Sequence, residues 1–314
     1  MRALVTGASG FVGRYLVSAL RREGADVTHC GGPHDEYEHD CVIDLADIQT
    51  IRYALETYRP TVIFHLAAQT FVPASVRTPM ETYDANTMGT ARVAQAVRDY
   101  ACEPRPRIVF ASSAEVYGAR AENDYPLRET LDLRPVNPYG ASKAAAEAIL
   151  LGESRSFGLD VVIARTFNLI GPGQSEQFAV PSFAAQLARI AGGGPPQLLV
   201  GNLRAARDFL DVRDAVNAYG ALARDGESGE IYNVCSGTAV TIRDVLRELI
   251  TIAHVPVEVR EDPQRARGSD SPLSVGDPSK IRALTGWEPK IALSRSLRDV
   301  YEHARRAVPS GAQG

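Results

Sequence analysis

A glycine-rich turn set between an apolar run and an amphipathic one constrains this chain more than any other feature. Gly7-Ala8-Ser9-Gly10-Phe11-Val12-Gly13 directly follows the apolar run Arg2-Ala3-Leu4-Val5-Thr6. Glycine permits a tight reversal, lets backbone approach a ligand, and lets a helix pack down on a sheet. After the turn, Tyr15, Leu16, Ala19 and Leu20 recur at helical spacing over 11–23, and Gly24 stands where such a helix would be capped. Strand, turn and helix in this order make the first unit of a parallel sheet.

The alternation continues through the first half. Strand candidates lie at 26–30, 42–44, 61–66, 107–112 and 160–164, and helical patterns at 48–58, 86–100 and 139–157. This pattern predicts an α/β fold, a doubly wound parallel sheet of Rossmann type with helices on both faces. Past about residue 168 the alternation weakens, and a smaller C-terminal α/β lobe is expected. We expect a dinucleotide-binding domain over 1–168, rejoined by about 208–234 with a strand at 231–234. Segments 169–207 and 235–314 would form the substrate lobe, with Gly192-Gly193-Gly194-Pro195-Pro196 as a surface loop and 309–314 as a frayed tail.

Charge and composition remove several function classes. A formal net charge of -4, without a basic stripe, argues against nucleic-acid binding. No apolar run reaches the ~18–20 residues that span a bilayer. The chain opens straight into a strand, so a cytoplasmic protein without a signal peptide is expected. Cys30, Cys41, Cys102 and Cys235 lack metal-ligand spacing; they read as reduced thiols, and no metal site is expected.

The turn points to a dinucleotide. Gly7, Gly10 and Gly13 have G-x-x-G-x-x-G spacing, and Phe11 and Val12 open the helix whose free N–H groups would face a pyrophosphate. Leu66-Ala67-Ala68 ends the fourth strand with small residues that would let a cofactor lie close. Asp44-Leu45 ends the third, where the carboxylate would accept from an adenine amino group or cap a loop. An acidic ribose clamp usually stands about 20 residues after the turn. Val27-Thr28-His29-Cys30-Gly31-Gly32 holds no carboxylate, and Asp35 and Glu36 come later. That leaves room for a 2′-phosphate, near which His29 or His34 would stand, so NADP is expected ahead of NAD.

The chemical groups follow. Lysine is rare here, with Lys143, Lys280 and Lys290 the only three, and Lys143 lies four residues after Tyr139 in Tyr139-Gly140-Ala141-Ser142-Lys143. That spacing puts both on one helix face, where an ammonium would lower the phenol toward neutrality. Phe110-Ala111-Ser112-Ser113-Ala114-Glu115-Val116-Tyr117-Gly118 sets two hydroxyls at the end of the fifth strand, facing the ligand crevice of this topology. Ser113 would donate to a substrate oxygen and Tyr139 would exchange a proton there. Lys143 would tune Tyr139 and, beside it, hold the nicotinamide ribose. Proton handling by side chains and hydride handling by a cofactor suit an oxidoreductase.

Together these motifs resemble the extended short-chain dehydrogenase/reductase family acting on nucleotide sugars, over nearly the whole chain. In the second half, Arg165-Thr166-Phe167-Asn168-Leu169-Ile170-Gly171-Pro172-Gly173-Gln174, Val200-Gly201-Asn202-Leu203, Arg207-Asp208-Phe209-Leu210-Asp211-Val212, Asn233-Val234-Cys235-Ser236-Gly237 and Gly276-Asp277-Pro278-Ser279-Lys280 are most like the GDP-6-deoxy-4-keto-sugar reductases. The resemblance implies that Asn168 binds the sugar diphosphate and that Arg207 meets the diphosphate or the nucleoside. Arg267 would be a second substrate arginine, followed here by Gly268 where the family carries proline. It also implies a homodimer through helices 86–100 and 139–157, whose faces carry Ala144, Ala145, Ala146 and Ala148.

The implied reaction is NAD(P)H-dependent reduction of the C4 ketone of a GDP-4-keto-6-deoxyhexose, giving GDP-D-rhamnose or its C4 epimer. GDP-mannose 4,6-dehydration is the first alternative. Its family members place an acidic or hydroxyl residue before a glutamate, and here the pair is Ala114-Glu115. Ala114 has no proton to donate, whereas Glu115 can still act as a catalytic base. An NDP-hexose 4-epimerase would need only Ser113, Tyr139 and Lys143 plus a pocket in which the 4-keto sugar can rotate, and a non-catalytic NAD(P)-sensing protein is the remote alternative.

Overall fold

The computed structural model describes residues 1–35, 37–101, 103–262 and 271–308. Arg267 and Gly268, like Glu36, Cys102 and the tail 309–314, lie outside the described residues. The first six strands are β1 (Arg2–Thr6), β2 (Asp26–Gly31), β3 (Cys41–Val42), β4 (Val62–His65), β5 (Arg107–Ser113) and β6 (Val161–Thr166). With Glu230–Val234 they form one parallel sheet, in the order Glu230–Val234, β6, β5, β4, β1, β2, β3. The order reverses between β1 and β4, and ligands of such sheets bind beyond the strand C-termini at that switch point. The expected doubly wound α/β sheet is therefore present.

Strand period explains why both faces are apolar. Ala3, Val5, Val62, Phe64, Val109, Val162 and Ala164 pack toward one layer, which includes Leu16 and Leu20 of helix Phe11–Arg22 and Val216 and Leu222 of helix Val212–Asp225. Leu4, Ile63, Ile108, Phe110, Val161 and Ile163 alternate to the other side. There they meet Ile51 and Leu55 of Ile48–Tyr58, Val93 and Val97 of Gly89–Asp99, and Ala146 and Leu150 of Pro138–Phe157. A parallel sheet buried on both faces reads as continuous hydrophobic runs, which is why these strands were legible.

Two expectations shift. The helix expected over 86–100 enters through a π-turn, Asp84–Met88, before Gly89–Asp99. The third strand is only Cys41–Val42, so Asp44 falls in the following turn, where its Oδ1 accepts from the Ala46 N–H at 2.8 Å. That is the loop-capping role weighed for it above.

The second lobe packs helices Ala179–Ala191, Ile242–Ala253 and Leu293–Ala307 around Phe183, Leu187, Leu198, Leu246, Leu249 and Leu297. Its strand Ala206–Asp211 pairs with Asn168–Ile170, Ala239–Thr241 and Leu273–Ser274. Among the bonds that tie it to the first lobe, Tyr15 Oη donates to the Pro172 carbonyl at 2.9 Å, Arg14 to the Gly173 carbonyl at 3.3 Å and Tyr125 Oη to the Leu273 carbonyl at 2.7 Å.

A buried ion pair anchors helix Pro138–Phe157. Glu147 accepts from Arg165 Nη2 at 2.7 Å and Nε at 3.0 Å, with both side chains almost fully buried. Ser112 donates to the same carboxylate, and the guanidinium lies 4.8 Å over the Tyr117 ring. Removing one partner strands a charge in the core. Glu147→Ala should therefore lose about 3–5 kcal/mol of stability in urea unfolding, while Glu147→Leu combined with Arg165→Met recovers most of it.

Candidate active site

The fit to a dinucleotide begins at the turn. Gly7 has φ 67°, and a Cβ there would stand 2.9 Å from the Ala67 backbone N and Cα. A Cβ on Gly13 would stand 2.2 Å from the Gly7 carbonyl oxygen. The turn therefore closes against the end of β4 only with glycine, bringing Gly7 beside Ala67 at the switch point. Gly10 is the extended N-cap of helix Phe11–Arg22 and offers no side chain as a cap, so the N–H groups of Phe11, Val12 and Gly13 are presented as an anion seat. Leu66 and Ala68 flank Ala67, all three half-buried, and Leu45 packs against Gly89. These residues fit a nucleotide and its pyrophosphate.

The ribose end differs from its sequence reading. Asp35 folds back toward the glycine turn: its Oδ2 accepts from Ser9 Oγ and from the Gly32 N–H, the latter at 2.7 Å. A carboxylate thus stands beside the space that appeared open for a 2′-phosphate. Linear spacing misplaced it because the chain doubles back immediately after β2. His29 is engaged elsewhere, with Nδ1 2.8 Å from Asp40 Oδ2.

The chemical groups converge from β5 and helix Pro138–Phe157. Ser113 ends β5, and its Oγ accepts from the Glu115 N–H at 3.2 Å. Asn137 Oδ1 caps the helix through the Gly140 N–H at 2.8 Å, and Pro138 supplies the preset first helical residue. Tyr139 follows, near enough to Ser113 for the serine hydroxyl to act on its phenol, each residue only 9 % exposed. Lys143 lies one turn later, almost fully buried, with Nζ donating to the Ala111 carbonyl at 2.8 Å and standing 4.6 Å over the Phe110 ring.

Burial sets the acidities. It pushes the Tyr139 phenol well up, opposed by the Ser113 hydroxyl. Lys143 Nζ gives its hydrogen bond to the Ala111 carbonyl of β5 rather than to the phenol. Burial also pushes Lys143 down to about 7, against the opposing pull of Glu147. A phenol held protonated is a proton donor at neutral pH.

Beside these groups opens a cavity of about 950 Å³, lined by Glu115, Asn137, Asn168, Arg207, Gln177 and Phe178 among others. Ser113 and Tyr139 adjoin it in sequence but do not line it. Asn168 is exposed on its strand; Arg207 is buried, with Nη1 donating to the Ala206 carbonyl at 2.9 Å. Glu115 Oε2 accepts from Asn137 Nδ2 at 2.8 Å, so the helix cap also orients the cavity carboxylate. Sequence reading passed over Asn137, although an asparagine directly before proline at a helix start is a capping signal. Among the described residues no cluster of three metal-ligating side chains occurs, and no helix is long and apolar enough to cross a membrane.

Comparison with known proteins completes the picture. The family model described as GDP-mannose 4,6 dehydratase matches residues 4–300. A GDP-6-deoxy-D-mannose reductase of Pseudomonas aeruginosa is 38% identical over 302 residues, covering 95% of each chain. A GDP-6-deoxy-D-talose 4-dehydrogenase of Aggregatibacter actinomycetemcomitans is 31% identical over 305 residues, 96% of this chain and 98% of its own. The structure of RMD from Pseudomonas aeruginosa complexed with NADPH matches with a TM-score of 0.88 at 35% identity, covering 98% of this chain and all of that one. With the glycine turn, the Ser113–Tyr139–Lys143 set and the two-lobed frame already in place, the chain belongs to the GDP-mannose 4,6-dehydratase family, within the extended short-chain dehydrogenases/reductases of nucleotide sugars.

Proposed function

We propose that this chain reduces the C4 ketone of a GDP-4-keto-6-deoxyhexose, using NADPH or NADH, to GDP-D-rhamnose or its C4 epimer. The observation that carries this reading is the buried Ser113–Tyr139 hydroxyl pair with the phenol held protonated, next to Ala114, which has no proton to give. Reduction needs one proton at the new alkoxide and no acid at C6. The names of the two relatives support the same substrate class, and the NADPH held by the related structure supports the cofactor.

A bound nicotinamide dinucleotide supplies the hydride. Ser113 Oγ donates to the ketone oxygen and draws electron density from C4. As C4 receives the hydride, Tyr139 Oη gives its proton to that oxygen, and the phenolate regains one from solvent. Lys143, one turn below, offers a positive charge that steadies the phenolate for that interval. Glu115, fixed by Asn137, orients sugar hydroxyls as an acceptor, while Asn168 and Arg207 serve the diphosphate and nucleoside in the cavity. Arg267 is retained as a second substrate arginine on the resemblance alone.

The deciding assay adds GDP-4-keto-6-deoxymannose and follows loss of reduced-nicotinamide absorbance. Rapid oxidation is expected. Conversion of GDP-mannose or a UDP-hexose without added reductant would instead mean dehydration or epimerisation, and bound cofactor with no turnover on any sugar would mean a sensor. Tyr139→Phe should lower kcat by about 100-fold or more while leaving cofactor affinity nearly unchanged; near-normal turnover would remove Tyr139 as the acid.

Asp35 opposes a 2′-phosphate. Asp35→Asn should raise the NADPH-to-NADH ratio of kcat/KM by about tenfold, the scale of one like-charge contact near a surface. An unchanged ratio would place the ribose elsewhere.

The protein is read as cytoplasmic and as a homodimer through helices Gly89–Asp99 and Pro138–Phe157. Ala145 and Ala148 face outward from the second helix and support close packing, whereas Ala146 is buried in the monomer. Light scattering should give twice the 33.9 kDa chain mass; a monomer at micromolar concentration would exclude the dimer.

A further inference from the structure

Strand β4 ends on a histidine that the reaction above does not use. His65 is fully buried, its ring stacked on Phe110 at a centroid separation of 5.7 Å. Each ring nitrogen meets a threonine hydroxyl, Nδ1 at 2.9 Å from Thr6 Oγ1 and Nε2 at 3.1 Å from Thr90 Oγ1. The partners determine where the proton sits. Thr90 Oγ1 lies 2.6 Å from the Asn86 carbonyl, which can only accept, so the single hydroxyl proton of Thr90 points there. Thr90 Oγ1 must then accept from His65 Nε2–H. In a neutral imidazole Nδ1 is left as an acceptor, and Thr6 Oγ1 donates to it while accepting from the Ala67 N–H at 3.2 Å. Burial, and after it the Lys143 ammonium, push the imidazole down to about 3, so the ring stays neutral near pH 7.

The series continues past Thr90. Asn86 sits in the π-turn, a local irregularity that often marks functional sites. Its Nδ2 donates to Ser142 Oγ and to the Gln69 carbonyl, both at 2.9 Å, and its Oδ1 accepts from the Gln69 N–H at 2.8 Å. Ser142 Oγ donates to the Tyr139 carbonyl at 2.7 Å. Thr6 immediately precedes Gly7 of the nucleotide turn, and Ser142 stands between Tyr139 and Lys143. Thr6, His65, Thr90, Asn86 and Ser142 are all buried. One directed run of hydrogen bonds therefore links the cofactor turn to the helix of the proton donor. In a dry interior such a satisfied run has a single good arrangement, and a reversed donor at any member leaves a buried group unpaired.

We propose that His65, as the neutral Nε2–H tautomer, is a positioning residue that ties the nucleotide turn to the turn of helix bearing Tyr139. Its role rests on the reading of Tyr139 as the proton donor. Histidine suits the place because its rigid ring carries a donor at one end and an acceptor at the other. Phenylalanine would keep the stack and the volume but would leave Thr6 and Thr90 without their partner.

The test compares wild type with His65→Phe, His65→Gln and Thr90→Val, the last breaking the run without touching the histidine. Nitrogen NMR of wild type should show His65 as Nε2–H, without titration through the range around 6.5 where free histidine titrates. Aromatic resonances of Tyr139 should shift in His65→Phe and Thr90→Val with no substrate present. In turnover, both variants should lose about 10- to 100-fold in kcat with little change in KM for the nucleotide sugar, as expected for a slightly misplaced acid. His65→Gln, which restores a donor toward Thr90, should recover part of that loss. An Nδ1–H tautomer, a titrating ring, or unmoved Tyr139 resonances in a folded variant would overturn the proposal. If His65→Phe does not fold, Thr90→Val decides it by the same readouts. The NMR results need no substrate, so they stand even if wild type reduces no 4-keto sugar, which would instead remove the reductase reading.

Discussion

Helix Pro138–Phe157 presents Tyr139 and Lys143 at a defined height above the sheet because Glu147 is locked to Arg165. The pair bridges the helix to the C-terminal end of β6, and Ser112 brings in β5. Two desolvated charges need nearly ideal geometry to offset their loss of water, and the bidentate contact with the Tyr117 face supplies it. A helix held by apolar contacts alone would slide by fractions of a residue. An ion pair with fixed hydrogen-bond directions does not permit that, so the register of the catalytic turn follows from it.

The same dryness sets the acid–base properties nearby. Desolvation raises an acid and lowers a base, and the structure shows both signs within one cluster: Tyr139 up, Lys143 and His65 down. The consequence is directional. A protonated phenol beside a serine hydroxyl is arranged to give a proton, and the neutral histidine adds no competing positive charge beside Lys143. The interior charges of Arg165 and Glu147 are each held by the opposite partner in contact.

Beside its apolar core, the second lobe is stitched by carboxylates. Asp208 accepts from the Ser236 N–H, the Ser236 hydroxyl and the Gly237 N–H, and more distantly from the Gly276 N–H. It is fully buried, and burial raises its carboxyl while those donors pull it back. Asp214 does similar work for the N–H groups of Lys290 and Ile291. The segments around Ser236 and Gly276, which drew attention as family signatures, thus meet at one side chain. Their spacing along the chain has meaning only around Asp208, and that junction frames the strand from which Arg207 reaches the cavity.

Much of this protein is decided by its linear order. Unbroken apolar runs between amphipathic ones determine a buried parallel sheet, because only a strand covered on both faces tolerates them. Gly7 and Gly13 determine the turn, since no larger residue fits against Ala67 and the Gly7 carbonyl. Asn137 before Pro138 marks the start of the helix that carries Tyr139 and Lys143. Other features exist only once the chain is folded. Asp35 reaches Ser9 because the loop after β2 doubles back, a path no spacing rule encodes. The acidities of Tyr139 and Lys143 depend on how much water the folded lobes exclude, and i, i+4 spacing puts the two on one helix face without telling that a carbonyl on β5 takes the Lys143 hydrogen bond. The run from Thr6 through His65 to Ser142 joins residues far apart in sequence, so tertiary packing alone determines it: hydrogen bonds need atoms within about 3 Å, and local periodicity carries no information about which distant side chains come that close.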